Sequence, residues 1–512
     1  MDDTANSNKA LACAVAAHRF GLGQARWADV GDDASGWLLQ QLAAAPAQRG
    51  NDLVSSAEGL RHYTEFLRQQ RKQRAVNTAA AAPAAAPAME GAATASSPSI
   101  EQAFVAHFRQ IASSDLRARL GTAALSTQPL AERLALFWAN HFTVSVAKPS
   151  VRALAGAFER EAVRPHTGGD FETLLQASVR HPAMLRYLDN DNSAGPDSAL
   201  VRRLARRLPA QTMAGYPDHQ QQQRPPRITG LNENLAREVP ELHTLGVSGG
   251  GAAYGGWGHY TQADVTAFAA VLTGWRVPVA ELLANPGALN SATQASRFDA
   301  AWHQPGAKTV LGKTYAEGPD ALTELLHDLA RHPNTARFVS YKLARHFIAD
   351  EPAPALVAQL ESAWLKSNGH LPTVMAALVQ SPEAWLPQQA KLKTPEEFVI
   401  STVRLLGLGE TAFERNADGG IGQLGQRVHG APSPAGWSDR AADWLGPDAV
   451  WKRVEWATRV ADRVGRRVDA RALASDSLGP LLQNETARQI ERAADGPQAL
   501  ALLLMAPEFQ RR

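Results

Sequence analysis

Cysteine, net charge and long apolar runs are all scarce in this sequence of 512 residues. The only cysteine is Cys13, which excludes an intramolecular disulfide and a cysteine-ligated zinc site. Lysine and arginine number 52 against 50 aspartates and glutamates, so nothing favours attraction to nucleic acid or to anionic membranes. No apolar run reaches the length of a membrane span. We therefore expect no nucleic-acid partner and no membrane span.

Common catalytic signatures are also missing. The sequence contains no Walker loop, no dinucleotide-binding fingerprint and no H-E-x-x-H zinc helix. Residues 246–250 match the G-x-S-x-G pattern of serine hydrolases. That pattern works when a strand-to-helix turn exposes the serine, whereas here it follows a predicted helix. We therefore interpret it as a glycine-rich loop.

Helical periodicity dominates what is present. The pattern predicts helices over 10–45, 53–74, 100–190 and 319–406 and again at the end of the chain. Residues 297–315 switch to a strand pattern, and we expect one hairpin there, with Phe298 to His303 paired to Lys308 to Tyr315 around a Pro305-Gly306 turn. The predicted fold class is mainly α: a multi-helix globular domain with one small β-hairpin and long irregular excursions.

Three segments have the composition of such excursions. Residues 75–99 are rich in alanine, proline and serine, and we expect a disordered internal excursion there. Residues 208–230 are rich in glutamine and proline, which predicts a partly disordered loop. Residues 421–446 are rich in proline and glycine. The opening residues 1–20 carry one lysine and a short apolar patch, and we interpret them as a first helix and not as a signal peptide.

The most unusual chemistry lies in residues 232–276. A helix is predicted from Asn232 to Gly246, with a kink near Ala236 because Pro240 lacks a backbone donor. At 100° per residue, one side of this helix collects Leu231, Leu235, Val239, Leu242 and Leu245. Glu238 falls inside this apolar sector, where burial should perturb the pKa of its carboxyl group.

Two further features frame this stretch. The pair Thr261 and Asp264 predicts a capping box at the start of a second helix that ends at Gly274. His141, in the segment LAERLALFWANHF, shares an apolar stripe with Leu134, Phe137 and Trp138. It is either a hydrogen-bonded core histidine or a ligand or acid–base group, because histidine is easily tuned near neutral pH.

A set of segments in fixed order resembles the bacterial family called domain of unknown function 1800 (DUF1800). The segments are AAHRFGLG at 16–23, FWANHF at 137–142, HPAMLRYLDN at 181–190, NENLARE and ELHTLG with YTQADVTAFAAVLTGW within 232–275, HQPGAKTVLG at 303–312, HPNTARFVSYKLARHF at 332–347, PSPAGW at 432–437 and the closing MAPEFQRR. This sequence departs from the family at Val239-Pro240, usually two aliphatic residues, and at Gln304, often an aspartate.

The resemblance implies one family-like α-helical domain over residues 1–512 and implies no particular reaction. Members of the family often lie beside genes for a sulfatase-like family, so the resemblance implies a sulfatase-like protein in the same pathway. A cytoplasmic location is expected from the sequence, and the export of some relatives makes export the alternative.

Two hypotheses follow. In the first, the protein is a hydrolase acting on a polar substrate, and a divalent metal would fit its pocket. The candidate catalytic residues are Glu238, His141 and Glu241, and the candidate substrate-binding residues are Asn232, Asn234, Arg237, Asp189, His303 and Lys308. In the second, the protein is a non-catalytic binding or assembly partner of a sulfatase-like protein, and these polar residues form a buried network that fixes helix register.

Overall fold

The structure is a computed structural model that describes residues 2–80, 99–207, 230–247, 259–285, 287 and 295–512. Its first half contains the helices α1 Asp2–Val15, α2 Ala34–Leu39, α3 Ser56–Ala80, α4 Ile100–Leu125, α5 Pro129–His141, α6 Ala155–Phe158, α7 Phe171–Arg180, α8 Pro182–Tyr187, α9 Ala199–Arg207, α10 Asn234–Glu238, α11 Gln262–Leu272 and α12 Val279–Ala284. This series confirms the mainly α class expected from the periodicity of the sequence.

The second half is also helical. Its helices are α13 Asp320–Arg331, α14 Pro333–Phe347, α15 Pro354–Ser367, α16 Leu371–Val379, α17 Pro395–Leu405, α18 Pro447–Val464, α19 Ala470–Leu478, α20 Asn484–Glu491, α21 Gly496–Met505 and α22 Pro507–Gln510. Proline stands in the first turn of several of them, where its missing N–H is not needed. No helix in the described ranges is long and apolar enough to cross a membrane.

The small β component differs from the prediction in its register. Strands β1 Trp275–Arg276 and β2 Arg297–Phe298 pair with each other, and β3 Lys308–Val310 pairs with β4 Lys313–Tyr315. The predicted pairing of 298–303 with 308–315 around Pro305-Gly306 was therefore wrong. Leu311 and Gly312 both have positive φ, as a two-residue hairpin turn of type I′ requires, and they close the hairpin instead.

Residues 75–80, the start of the excursion predicted over 75–99, are helical. Helix α3 continues to Ala80, because alanine favours the helix more than any other residue. At the other end, Ser99 caps α4 through a capping box with Gln102. Residues 81–98 lie outside the described residues, as do 208–229 of the second predicted loop.

A π turn reshapes the central helix. Helix α10 covers Asn234–Glu238 and continues directly as a π-helical turn over Val239–His243, before Gly246 ends the segment with a φ of +87°. Pro240 cannot donate to the carbonyl of Ala236, so the backbone takes the wider turn. The extra residue turns His243 into the core, whereas Leu242, expected there, is half-buried. The second predicted helix is confirmed as α11 with its Thr261–Asp264 capping box.

Two hydrophobic cores meet in the molecule. The larger core is built from the helices between α1 and α16 other than α4 and α9, and it includes Trp138, Phe171 and Trp364. The smaller core is built mainly from α17 to α22, with additional residues from α4 and α5. Helix α5 contributes to both, because Trp138 packs into the first core and Leu136 into the second. Helix α5 therefore forms the seam between the two cores, and α4, which contacts α5, packs into the smaller one.

A buried network of ion pairs fills this seam. Glu159 accepts hydrogen bonds from Arg119 and Arg164, and Arg119 also pairs with Glu396 at 2.7 Å. Next to it, Arg133 and Arg512 both pair with Glu397. Although burial raises the pKa of Glu159, Arg119 and its other cationic neighbours hold that pKa far below the usual range. The network thus ties α4, α5 and α17 together through buried ion pairs.

Replacing Glu159 by glutamine should strongly destabilise the fold. The substitution leaves the guanidinium groups of Arg119 and Arg164 without their shared carboxylate, and an uncompensated buried charge costs about 3–5 kcal/mol. The measurement is the free energy of unfolding by urea. Glu410→Gln is the control, because its pair with Arg49 is exposed and should contribute less than about 1 kcal/mol. Equal effects of the two substitutions would contradict a structural role for the network.

Candidate active site

A polar cavity of about 100 Å³ lies at the seam between the two cores. Helix α5 lines it with Asn140 and His141, and α14 lines it with Lys342, Arg345 and His346. The loop before α18 closes it with residues 435–439. Three of the segments quoted above, FWANHF, HPNTARFVSYKLARHF and PSPAGW, therefore come together around one cavity.

His141 and Lys342 form a direct pair in this cavity. The Nζ atom of Lys342 lies 2.8 Å from Nδ1 of His141, and Nε2 of His141 lies 3.1 Å from the carbonyl oxygen of His243. Since that carbonyl can only accept, Nε2 carries the proton and Nδ1 accepts from Lys342. Burial, the charge of Lys342 and the neighbouring His243 hold the pKa of His141 well below its usual value. His141 is therefore a neutral acceptor that fixes the position of the lysine.

Lys342 has a perturbed amine. Burial lowers the pKa of Lys342 to about 7, and Arg345 adds to that effect while Asp439 opposes it. Within the described part of the chain, its ammonium group makes no ion pair with a carboxylate. A lysine in such surroundings exchanges its proton near neutral pH, which an ordinary lysine does not.

His346 and Asp439 form a second couple. Oδ2 of Asp439 lies 3.6 Å from Nδ1 of His346, and Oδ1 lies 3.1 Å from Nε of Arg345. Burial lowers the pKa of His346 to about 4 despite the opposing influence of Asp439. Burial raises the pKa of Asp439, but His346 and Arg345 outweigh it and hold the carboxylate ionised. The buried Nε2 of His346 has no hydrogen-bond partner among the described residues.

Asn140 clamps the loop that closes the cavity. Its Nδ2 donates to the carbonyl oxygen of Trp437, and its Oδ1 accepts from the Trp437 amide, both at 2.8 Å. Gly436 adopts a φ of +80°, and a Cβ atom there would lie 2.4 Å from the carbonyl oxygen of Asn140. Glycine is therefore required before Trp437, which explains the sequence Ala-Gly-Trp at this place.

The formal charges that line the cavity balance. Four cations (Arg119, Arg133, Lys342 and Arg345) face four anions (Glu159, Glu396, Glu397 and Asp439). The three arginines are each paired with one or more of these carboxylates. Lys342 is the remaining cation. Because the formal charges of the lining sum to zero, the cavity as a whole does not select a strongly anionic substrate and suits a polar, uncharged one.

Of the nine candidate residues predicted from the sequence, only His141 lines the cavity. Arg237 pairs with Glu233 at 3.2 Å and contacts Gln262, which places it in a surface network between α10 and α11. Asn234 is exposed, and Glu238 and Glu241 are half-buried. The expectation of a single pocket that joins these residues to His141, Asp189 and His303 was therefore wrong. The π turn directs His243, and not Glu238, towards His141.

Asn232 and Asp189 meet at a separate place. Nδ2 of Asn232 donates to the carbonyl oxygen of Asp189 at 3.2 Å, and the Asp189 carboxylate pairs with Lys148 at 2.5 Å. Asp189 has a positive φ of 59°, and Asn232 also bonds Ser193 through its backbone amide. These contacts connect the loop after α8 with the start of the central segment.

His303 and Lys308 form a third group. The Nζ atom of Lys308 lies 2.8 Å from Nε2 of His303 and also bonds the carbonyl oxygen of Gln304. Nδ1 of His303 lies 2.7 Å from the carbonyl oxygen of Thr273, and both side chains are buried. These bonds hold the loop that precedes β3 against the end of α11. Their role in binding substrate stays a prediction.

A metal centre has no obvious donor set in the described residues. No group of three histidine, cysteine, aspartate or glutamate side chains stands close enough to hold a metal ion there. The divalent metal considered from the sequence thus finds no ready cluster among these side chains.

The residues missed by sequence reasoning are Lys342, His346, Asp439 and Trp437. A signal was available for the first two, because they stand four residues apart in a helix with Arg345 between them, a polar face on a segment that also buries Val339 and Phe347. Asp439 and Trp437 lie in a proline- and glycine-rich stretch, where no periodicity marks a buried side chain.

Comparisons with known proteins were consistent with the early resemblance. The model of the family described as "Protein of unknown function (DUF1800)" matches residues 15–511. No curated protein and no solved structure matches the chain.

Glutamine at position 238 should stabilise the protein at alkaline pH. Burial and the charge of Glu241 raise the pKa of Glu238 from 4.5 to about 7, while Arg237 opposes them. Between these two values the folded state holds a proton that the unfolded state has lost, so wild-type stability falls as pH rises from 4.5 to 7. We expect Glu238→Gln to raise the melting temperature more at pH 8 than at pH 4.

Glu233→Gln is the matched control for this measurement. Hydrogen bonds from Thr266 and Gln262 lower the pKa of Glu233, so its ionised form stabilises the fold. Its substitution should lower the melting temperature more at pH 8 than at pH 4, the opposite sign. A melting-temperature shift of Glu238→Gln that is the same at both pH values would show that its carboxyl group is not perturbed.

Proposed function

Since the chain belongs to the DUF1800 family, whose description names no reaction, we propose from the cavity that it is a hydrolase of polar, uncharged substrates. In this proposal His346 is the general base, Lys342 is the general acid, and Asp439 and His141 position them. The observation that carries the proposal is the placement of Lys342 and His346 four residues apart on α14, both lining the cavity.

The geometry suits a pair of proton-transfer groups. Residues four apart on a helix lie on the same face, with their Cβ atoms about 5–6 Å apart. Asp439 faces Nδ1 of His346 and leaves the unpartnered Nε2 for a water molecule, the arrangement in which a carboxylate orients a catalytic imidazole. His141 holds Lys342 through one of its three donors and leaves the other two for a leaving group.

The acidities of the two groups support these roles. With the pKa of His346 at about 4 and the pKa of Lys342 at about 7, the imidazole is neutral and the amine is protonated between those values. Two titratable groups whose surroundings separate their pKa values are a typical sign of an acid and a base. Both required protonation states coexist in that pH range without a metal ion or a second substrate.

The reaction step balances with water alone. Nε2 of His346 takes a proton from water, and the water oxygen attacks the electrophilic centre of the substrate. The bond to the leaving group breaks, and the ammonium group of Lys342 gives its proton to the leaving atom. The products are the hydroxylated fragment and the protonated leaving group, and proton exchange with solvent restores both side chains.

The second hypothesis, a non-catalytic assembly partner of a sulfatase-like protein, has one observation in its favour. Leu445, Val450 and Trp451 are exposed apolar side chains close together in the chain, and Trp451 is 62% exposed. Clustered exposed apolar residues are typical of protein-binding surfaces. The sulfatase-like partner and the cytoplasmic location both stay predictions. Co-purification with a sulfatase-like protein, lost in Trp451→Asp, would favour this hypothesis.

The pH dependence of hydrolysis tests the proposed enzyme. The assay uses 4-nitrophenyl acetate and 4-nitrophenyl glycosides, together with the corresponding methyl ester and methyl glycosides. We expect kcat/KM to rise with pH through about 4 for every substrate, as His346 loses its proton. For the methyl substrates, whose leaving group needs the proton of Lys342, it should also fall through about 7 as Lys342 loses that proton.

Two variants separate the roles. His346→Gln removes the base and should lower hydrolysis of every substrate by about 10²–10⁴-fold. Lys342→Met removes the acid and should lower hydrolysis of the methyl substrates by a similar factor, while the 4-nitrophenyl substrates, whose leaving group needs no proton, change little. Lys366→Met, on the exposed side of α15, is the control and should leave all rates unchanged. Absence of hydrolysis across the panel, or full activity in His346→Gln, would refute the proposal.

A further inference from the structure

A surface groove lies next to the cavity. This groove has a volume of about 450 Å³ and shares Trp437 and Ser438 with the cavity. Its other side is formed by Trp444 and by the start of α18, with Asp448 and Lys452. A volume of this order accommodates a small-molecule ligand. A substrate that reached His346 and Lys342 through this groove would pass Trp437.

Two tryptophan rings in the groove are fixed in place by their polar edges. Nε1 of Trp437 donates to the carbonyl oxygen of Arg427 at 2.9 Å, and Nε1 of Trp444 donates to that of Ser438 at 2.8 Å. The ring centroids are 5.9 Å apart. The backbone of Trp437 is held by Asn140, as described above. Trp444 is buried, whereas Trp437 is half-buried. Because the indole N–H of Trp437 is already used, this ring can offer a ligand only its apolar, electron-rich surface.

The rim of the groove is polar, and among the described residues that line it the only cationic side chain is Lys452. Lys452 pairs with Asp448 at 2.5 Å, and Asp443 accepts a hydrogen bond from the hydroxyl of Ser438. Asp443 and Asp448 are exposed, so their oxygens can accept further hydrogen bonds. The rim thus carries two carboxylates and one ammonium group. This balance of charge disfavours an anionic ligand and favours a ligand whose many hydroxyl groups donate hydrogen bonds.

We propose that this groove binds an uncharged carbohydrate chain, with a sugar ring stacked on Trp437 and hydroxyl groups bonded to the Asp443 and Asp448 carboxylates. A pyranose ring has an apolar face of C–H groups and a rim of hydroxyls, which matches an aromatic surface beside carboxylate acceptors. The inference rests on the proposed function, because it identifies the substrate of the proposed hydrolase as a glycoside. The scissile bond is then the glycosidic C–O bond, and the sugar alcohol leaves with the proton of Lys342.

A proline-rich peptide is the rival occupant, because aromatic-lined grooves also bind polyproline helices. Such a peptide lacks the hydroxyl donors that the two carboxylates would accept, and the carbohydrate chain supplies them. Binding of decaproline in place of saccharides would overturn the assignment.

Isothermal titration calorimetry tests the inference. The probes are cellohexaose, xylohexaose, maltohexaose and chitohexaose, titrated into full-length protein carrying both Lys342→Met and His346→Gln so that no probe is consumed. At least one hexasaccharide should bind, and decaproline should not. Trp437→Ala in the same background should weaken that binding by about tenfold or more, and Trp437→Phe, which keeps an aromatic face, should weaken it less.

Two further variants keep the result interpretable. Trp451→Ala removes a neighbouring tryptophan that does not line the groove, and its binding should be unchanged. Asp443→Ala alters an exposed side chain, so this variant should fold even if Trp437→Ala does not. It should weaken saccharide binding because it removes a carboxylate that accepts hydroxyl groups. Binding that is insensitive to both Trp437 and Asp443, or no binding of any hexasaccharide, would overturn the inference.

The two proposals fail separately. If saccharides bind in a way that depends on Trp437 but the wild-type protein hydrolyses none of them, the proposed reaction is refuted and the carbohydrate site in the groove is supported. If hydrolysis depends on Lys342 and His346 but its rate is unaffected by Trp437→Ala, the proposed reaction is supported and the carbohydrate site in the groove is refuted.

Discussion

The buried carboxylate of Glu159 organises the centre of the molecule. It accepts from Arg119 and Arg164, and it also bonds Gln48 and His429. These four partners come from four separate parts of the chain, and an ion at this depth is tolerated only when it is paired. The segments must therefore be in place together before the charge is satisfied. The two hydrophobic cores are joined by this requirement as much as by their apolar contacts.

The same network forms a charged frame around the cavity. The cationic neighbours of Glu159 and Glu397 hold the pKa values of these two carboxyl groups far below their usual range, although burial raises them. Lys342 and His346 stand at the edge of this charged region, where burial lowers the pKa of each. A rigid, charge-balanced frame around two groups of adjustable protonation is a favourable setting for acid–base chemistry, because the frame does not reorganise during the reaction.

Local features of the fold were predictable, and features set by distant contacts were not. The helices and the Thr261–Asp264 cap follow from periodicity and from neighbouring residues. His141 was found because a histidine on an apolar stripe is unusual. Trp437 was missed because its position depends on Asn140, 297 residues away in sequence. The hairpin was misplaced because the φ values of Leu311 and Gly312 decided the turn, and neither residue has the signature of Pro305-Gly306.

Three π-helical turns in the described ranges each follow an α-helix directly: Ala16–Phe20 after α1, Glu159–Val163 after α6 and Val239–His243 after α10. A π turn contains one residue more than an α turn closed by the equivalent bond. Deleting one residue there would restore an α-helix locally but would rotate the following side chains by about 100°. Glu159 would lose its alignment with Arg119, and His243 would lose its place beside His141. These helices can therefore change sequence over evolution more easily than they can change length.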